Sequence, residues 1–429
     1  MIKSIFIQNL LQAQGYLQRP SGNSSSPDQA VDAIFNAVAQ RGDAAIREFS
    51  MAFDGKCPPN LEVSPQEKSA AIRKLDPDLK QAMEVAAKNL RIFHQAGAAQ
   101  PIQPIETSPG VWCSQMLRPI ASVGMYIPGG TAPLFSSVFM LGIPAQLAGV
   151  PERILCTPPG ASGQIHPAMA YAAELTGIQR IFQIGGIQAI AAMTYGTASI
   201  PKVNKICGPG NQYVTRAKAW AQQLGVAIDV PAGPSEVMIW ADAEADADFL
   251  AADLLAQAEH GPDSQVFLLV PNETLAQQVQ QALLRQLKDL PRAIVAQQSL
   301  ENGAIFIVEN PELALQIIND YAPEHLMLAW RKPEQWLPSI QHAGSIFLGD
   351  LAPESFGDYA SGTNHTLPTA GFAKAYSGVS VDTFLKKIQV QSIEPKGLES
   401  LAQTVVTMAR AEGLEAHARA VDIRLKTNR

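Results

Sequence analysis

Cysteine is scarce in this chain: 429 residues carry four, Cys57, Cys113, Cys156 and Cys207. They lie far apart and form no CxxC pair, which argues against a disulfide scaffold or a thiolate zinc finger and fits a reducing compartment. Charged residues make up only 17%, the net charge is −7, and no lysine or arginine run occurs, so nucleic acid is not an expected partner. No apolar stretch reaches the ~18–20 residues needed to cross a bilayer, so no membrane association is expected. The N-terminus, MIKSIFIQNLLQAQGYLQR, has one lysine and an apolar run broken by Gln and Asn. It lacks a signal-peptide core and cleavage site, which predicts a cytoplasmic protein. The segment reads as a short amphipathic helix packed on another element. Neither a GxGxxG following a strand nor a GxxxxGK[ST] loop is present.

What is present is apolar and periodic. Hydrophobic residues make up 47%, and the length calls for two or more domains. Residues 27–53 and 64–95 read as helical. Then apolar strands alternate with helices. The expected strands are 120–127, 153–157, 180–185, 205–210 and 226–230, with helices near 133–148, 167–176, from 187 and from 212. A second series follows: a helix over 246–260, strand 265–270, helix 272–288, strand 304–308, helix 311–319, and strands 325–330 and 344–348. Such alternation predicts α/β architecture with parallel sheets and helices on both faces. Similarity of the two series suggests an old duplication. Residues 350–369 show no sustained period, and a loop of that length in a compact domain is usually functional. From about Val381 the chain reads as helical again and ends in a basic turn.

Histidine totals seven, and three lie in short polar islands. Gln257 and His260 are three apart on a predicted helix and share a face. Gly261-Pro262 should stop that helix, with the glycine in the left-handed cap position and His260 in the last turn. Alone, the pair is a weak signal and reads more readily as a surface amide and a capping imidazole. Asp358 lies in the irregular stretch with Asp350, Glu354, Ser361 and His365, where an Asx turn competes with a site. His417 lies on a C-terminal helix, five residues after Glu412. Pro323 places Glu324-His325 at the start of a strand. An adjacent carboxylate and imidazole can divide labour, one activating water and the other moving protons. Four glycine turns, Pro128-Gly129-Gly130, Gly185-Gly186, Gly208-Pro209-Gly210 and Ala232-Gly233-Pro234-Ser235, punctuate the first series. The first three follow strands, where open α/β sheets bind ligands. Asn211 then makes a good helix cap, with free N–H groups able to receive a phosphate.

Joined in order, these blocks carry a family resemblance. IDVPAGPSEV (228–237), LLAQAEHGPDSQ (254–265), YAPEHL (321–326), FLGDLAPESFGDYASGTNHTLPT (347–369), EGLEAH (412–417), GMYIPGGTAPL (124–134) and CGPGNQYVT (207–215) resemble histidinol dehydrogenase across nearly the whole chain. The resemblance implies oxidation of L-histidinol to L-histidine through an aldehyde, with two NAD molecules reduced in turn. It implies one zinc per subunit held by Gln257, His260, Asp358 and His417. Glu324 would activate water and His325 would act as acid/base. Ser235, Gln257, His260, His325, Asp358, Glu412 and His417 would contact substrate, and Tyr126, Gln188 and Asn211 would contact NAD. The fold implied is two incomplete Rossmann-like parallel-sheet domains plus small helical N- and C-terminal pieces. Residues 22–125 with 236–379 would carry the metal and catalytic groups, and 126–235 the NAD site. Residues 1–21 would be an N-terminal helical segment, and 380–429 a helical piece completing the partner's site in a homodimer with shared active sites.

Two other readings compete. A cysteine could form a thiohemiacetal, as in aldehyde dehydrogenases, but no histidine lies close in sequence to any of the four. A two-domain binding protein would leave Glu324-His325 without a task.

Overall fold

The structure is a computed structural model that describes residues 2–19, 26–129, 133–160, 162–230 and 233–426. Gly130, Ala232 and the expected junction at 21–22 lie outside the described residues. The chain divides into two units, Met1–Gly97 with Ala121–Thr383, and Ala98–Ile120 with Phe384–Arg429.

In chain order, β1 (Lys3–Phe6) comes first, then β2 (Ile102–Ser108) and β3 (Val111–Pro119). β4 (Ser122–Tyr126), β5 (Glu152–Thr157), β6 (Arg180–Gln183), β7 (Lys205–Cys207) and β8 (Ala227–Ile228) follow. Next are β9 (Glu236–Ala241), β10 (Gln265–Val270), β11 (Ala304–Ile307), β12 (His325–Ala329) and β13 (Ser345–Leu348), and finally β14 (Leu385–Ile393).

The first unit holds two parallel sheets. One runs β6-β5-β4-β7-β8 and the other β1-β11-β10-β9-β12-β13. Counted within its own series, each has the order 3-2-1-4-5, with β1 added at one edge of the second. That shared doubly wound order matches the duplication suggested by the two series. Each sheet reverses direction of growth between its first and fourth strands, β4/β7 and β9/β12.

β4, β9, β10, β11 and β12 are buried at every position, because helices cover both faces. Alternate residues feed different cores. Val237, Ile239, Val266, Leu268 and Ile305 pack on one face of the larger sheet. Met238, Trp240, Phe267, Leu269 and Phe306 pack on the other. Each such side chain contributes roughly 1.5–3 kcal/mol by leaving water. Helix starts are set by polar caps. Asp246 accepts from the N–H groups of Asp248 and Phe249, and Ser64 forms a reciprocal capping box with Glu67.

The second unit has an antiparallel sheet, β14-β3-β2, and two helices, Pro395–Ala411 and Glu415–Lys426. Its helices meet over a small core of Val406, Ala409 and Ala418. Ile102, Ile105, Ile388, Ile393 and Met408 stay exposed.

Several local expectations change. Residues 3–6 form β1, paired in parallel with β11, where a helix was expected; the helix begins only at Leu10, capped by Asn9. The stretch after Val381 is extended in β14, because each residue from 385 to 393 pairs with β3. Residues 27–53 form two helices, broken at Gly42. The helix over 246–260 ends at Ala258, and Gly261 is not left-handed. A helix, Glu354–Tyr359, interrupts the stretch expected to be irregular.

Candidate active site

β9 begins with Glu236, and its main chain organises the acid–base groups. The Glu236 N–H donates to Glu324 Oε2 at 2.9 Å. The Glu236 carbonyl lies 3.2 Å from His325 Nδ1. A carbonyl only accepts, so Nδ1 carries the proton and Nε2 presents a lone pair. That Nε2 has no hydrogen-bond partner among the described residues. Glu324 and His325 are buried. Burial raises the Glu324 pKa well above the usual carboxylate range, and the Glu236 and Asp358 carboxylates add to the rise. Burial lowers His325 to about 3, so the ring is neutral at physiological pH. This departs from the expectation of an imidazole titrating near neutrality: burial disfavours the charged ring.

Two helices bring further groups to His325. Glu354 and Asp358 are four apart on the helix Glu354–Tyr359 and share a face. His325 Nδ1 is 3.7 Å from Glu354 Oε1, and Nε2 is 3.8 Å from Asp358 Oδ1. His260, just past the helix Ala247–Ala258, has Nε2 3.9 Å from Asp358 Oδ2. Ligand atoms of His260, Glu354 and Asp358 lie within 4.8 Å of one another. Burial lifts Asp358 to about 7 and raises Glu354 well above its usual range. The His260 ring is half open to solvent, yet surrounding protein and the Arg292 guanidinium lower its pKa. Gln257 is fully buried on the same helix, and neither amide atom has a partner among the described residues. A carboxylate–imidazole cluster, with an orphaned buried amide three residues before His260 in sequence, suits a divalent cation such as zinc.

The structure thus groups His260, Asp358, Glu324 and His325 in one cluster, and Ser235 immediately precedes Glu236. Glu354 and Glu236 were not singled out by sequence. An i, i+4 carboxylate pair after Pro353 was the available signal for Glu354. Glu412 and His417 belong to the second unit, where Glu412 caps the helix Pro395–Ala411 and both side chains are exposed.

The smaller sheet gathers different groups at the carboxyl ends of its strands. Tyr126 ends β4, and its hydroxyl accepts the Gly186 N–H at 3.2 Å. Burial pushes the phenol up to about 12. Gln188 is fully buried, and both of its amide atoms lack partners among the described residues. Asn211 is an exposed cap whose Oδ1 accepts from Tyr213 and Val214, so those N–H groups are not free as expected. Asp54 Oδ2 is also buried and unpartnered, and a Cβ on Gly185 would lie 3.5 Å from it. Gly208, at φ 132°, approaches the Tyr126 carbonyl so closely that a Cβ would overlap it. The cysteines offer no nucleophile here: Cys156 and Cys207 are buried and burial raises both thiols.

Two doubly wound sheets, one with an acid–base centre able to hold a cation, define an α/β enzyme. A sequence model of the family described as histidinol dehydrogenase matches residues 17–425. Histidinol dehydrogenase of Xylella fastidiosa is 51% identical over 95% of each chain. That of Photobacterium profundum is 49% identical over 99% of this chain and 96% of its own. The crystal structure of histidinol dehydrogenase from Elizabethkingia anophelis superposes with a TM-score of 0.96 at 47% identity, over 99% of this chain and 98% of that one. The chain belongs to the histidinol dehydrogenase family.

Proposed function

We propose that this chain oxidises L-histidinol to L-histidine through L-histidinal, reducing two NAD molecules, as a step of histidine biosynthesis. The observation that carries the reading is the pairing of Glu324 and His325 on one backbone residue, Glu236, inside this family's fold. In the first oxidation, His325 Nε2 takes the alcohol proton as the carbinol carbon loses hydride. In the second, Glu324 takes a proton from water as its oxygen attacks the aldehyde carbon, and the hydrate then loses hydride. Burial makes Glu324 a stronger base than an exposed carboxylate. Each hydride departs with two electrons, giving four in total. NAD would bind at the smaller sheet beside Tyr126, Gln188 and Asn211 and would supply the hydride acceptor. The unpartnered Gln188 amide fits such a ligand.

Gln257, His260, Asp358 and His417 of the partner subunit would hold one zinc, which would grip the substrate. Ser235 and Glu412 would complete substrate contacts. A homodimer with shared sites is supported by the second unit, whose small core leaves apolar side chains exposed. Residues 22–125 with 236–379 would form the catalytic half, and residues 126–235 the NAD half. Residues 1–21 would be an N-terminal piece and 380–429 the piece that reaches the partner. Among the described residues no helix is long and apolar enough to cross a membrane. A cytoplasmic location is proposed from the reduced cysteines.

The test is NADH formation from L-histidinol, first after chelation and then after adding zinc or manganese. Two NADH per histidine, lost on chelation and restored by metal, is expected. Metal-loaded protein that forms no NADH would overturn the reading.

A further inference from the structure

Outside the proton-transfer groups themselves, one network of hydrogen bonds and an ion pair closes on itself and has no assigned role. Glu236 is 2% exposed, so its carboxylate needs a partner. Arg19, 217 residues away in sequence, supplies it in a two-pronged contact: Nε to Oε1 at 2.6 Å and Nη2 to Oε2 at 3.0 Å. The Ala370 N–H adds a third bond to Oε1 at 2.9 Å. The same Arg19 Nη2 donates to the Tyr321 carbonyl at 2.7 Å, and the guanidinium lies 4.0 Å over the Tyr321 ring. The Tyr321 hydroxyl donates to Gln265, and the Gln265 amide donates to the carbonyl of Gln18, next to Arg19. The ring of contacts closes on itself.

Its place in the chain gives it consequence. Glu236 uses its side chain for Arg19 and its main chain for Glu324 and His325. Tyr321 stands three residues before Glu324. Arg19 therefore ties together the start of β9 and the turn that delivers both acid–base groups. Among the described residues only two non-glycine residues have positive φ, Ala322 at 53° and Ala370 at 55°. Ala322 follows Tyr321, and Ala370 donates to Glu236. Backbone of that kind costs of order 1–3 kcal/mol and persists only where surroundings hold it. Both flank this ion pair.

We propose that Arg19 and Glu236 are positioning residues for the acid–base pair. Their ion pair fixes the β9 main chain that orients the Glu324 carboxylate and holds the proton on His325 Nδ1. If Glu236 shifts, His325 loses the carbonyl that selects its tautomer, and Nε2 no longer presents its lone pair. The inference rests on the reading that Glu324 and His325 move protons.

The test uses metal-loaded full-length protein, with Arg19→Met, Arg19→Lys and the neutral double variant Arg19→Met/Glu236→Gln. Three quantities are measured: kcat and KM for L-histidinol, melting temperature, and the ring-nitrogen NMR signal of His325, assigned by its loss in His325→Asn. Arg19→Met is expected to lower kcat roughly tenfold or more while KM stays within about threefold, and to move the His325 signal away from the pure Nδ1–H form. Arg19→Lys should recover only part of kcat, because an ammonium cannot span both Glu236 oxygens and the Tyr321 carbonyl. Should the single variant unfold on its unpaired carboxylate, the double variant removes that charge and decides the matter. A folded double variant with wild-type kcat and wild-type His325 signal overturns the proposal. Wild-type protein that makes no NADH from histidinol would instead overturn the functional reading, and the His325 signal would still decide the positioning role.

Discussion

The two parallel sheets share one strand order and use opposite edges. In the smaller sheet, Tyr126, Gly186 and Gly208 stand at the carboxyl ends of strands, where doubly wound folds usually bind ligands. In the larger sheet, Glu236 and His325 are the first residues of β9 and β12, so the acid–base groups stand at the amino ends. Each sheet also clamps one main-chain residue at its switch point with an ion pair whose carboxylate is buried. Gly208 donates its N–H to Asp229 at 2.7 Å and accepts from Lys218 at 2.8 Å, and Lys218 pairs with Asp229. Glu236 is clamped by Arg19. The clamp in one sheet fixes backbone beside the proposed NAD site; the clamp in the other fixes backbone that hydrogen-bonds Glu324 and His325, the proposed acid–base pair. Topology alone therefore does not say which edge carries chemistry.

The sharpest way to break this contrast is at the proposed acid–base pair. Glu324→Gln is expected to slow conversion of histidinal to histidine by roughly 10²–10⁴-fold, with histidinol affinity unchanged. Single-turnover kinetics with each substrate would show it, and an unaltered aldehyde rate would sink the assignment. At the other clamp, Lys218→Met strands a buried Asp229 and should cost about 3–5 kcal/mol of stability. Denaturant unfolding would measure this, with KM for NAD rising in the folded fraction. Gln188→Leu removes an unpartnered amide, so stability should not fall. KM for NAD should rise about tenfold, near 1.4 kcal/mol, while KM for histidinol stays put. A histidinol-side effect would erase the division between sheets.

The pH response is a smaller effect, and its sign depends on which groups titrate. Asp358 and Asp253 are raised to about 7 by burial. Stability from such groups is present below their unfolded values and is lost as pH rises through about 7. His325 and His365, lowered by burial to about 3 and about 4, act oppositely, but only below their unfolded value near 6.5. Metal-free protein should therefore melt lower at pH 8 than at pH 6.5, by a few degrees in calorimetry. Bound metal should flatten the trend, because it takes the carboxylates in their charged form. The smallest change expected comes from replacing all four cysteines by Ala, which should leave turnover near wild type in the NADH assay. Loss of the second oxidation alone would revive a thiohemiacetal route.

Much of the sheet framework was legible because buried parallel strands read as continuous apolar runs, as in QVFLLV and AIFIV. β9 was harder. EVMIWA starts with a charged residue whose buried carboxylate is met by Arg19 and the Ala370 N–H. β2 and β3 show no sustained alternation of polar and apolar residues, and β14 carries only a short one, Ile388-Gln389-Val390-Gln391, in a stretch that reads as helical. The helix carrying Glu354 and Asp358 spans six residues, too few for a period to emerge. Glu324-His325 could be read from adjacent letters. Glu236 and Arg19 could not, because their meaning lies in contacts spanning most of the first unit.

The pairing of β1 with β11 sets an order of assembly. Lys3 lies opposite Ala304, some 300 residues later. At ~5–20 residues per second on the ribosome, the first strand waits ~15–60 s for its partner. The β4–β8 sheet is complete by residue 228 and can fold while the rest is still being made. Arg19 waits with β1, since Glu236 and Tyr321 also arrive late. The proposed acid–base centre is thus among the last parts of the first unit to take shape, and nascent chains stalled before residue 304 should fold the smaller sheet while the N-terminal strand remains without its partner.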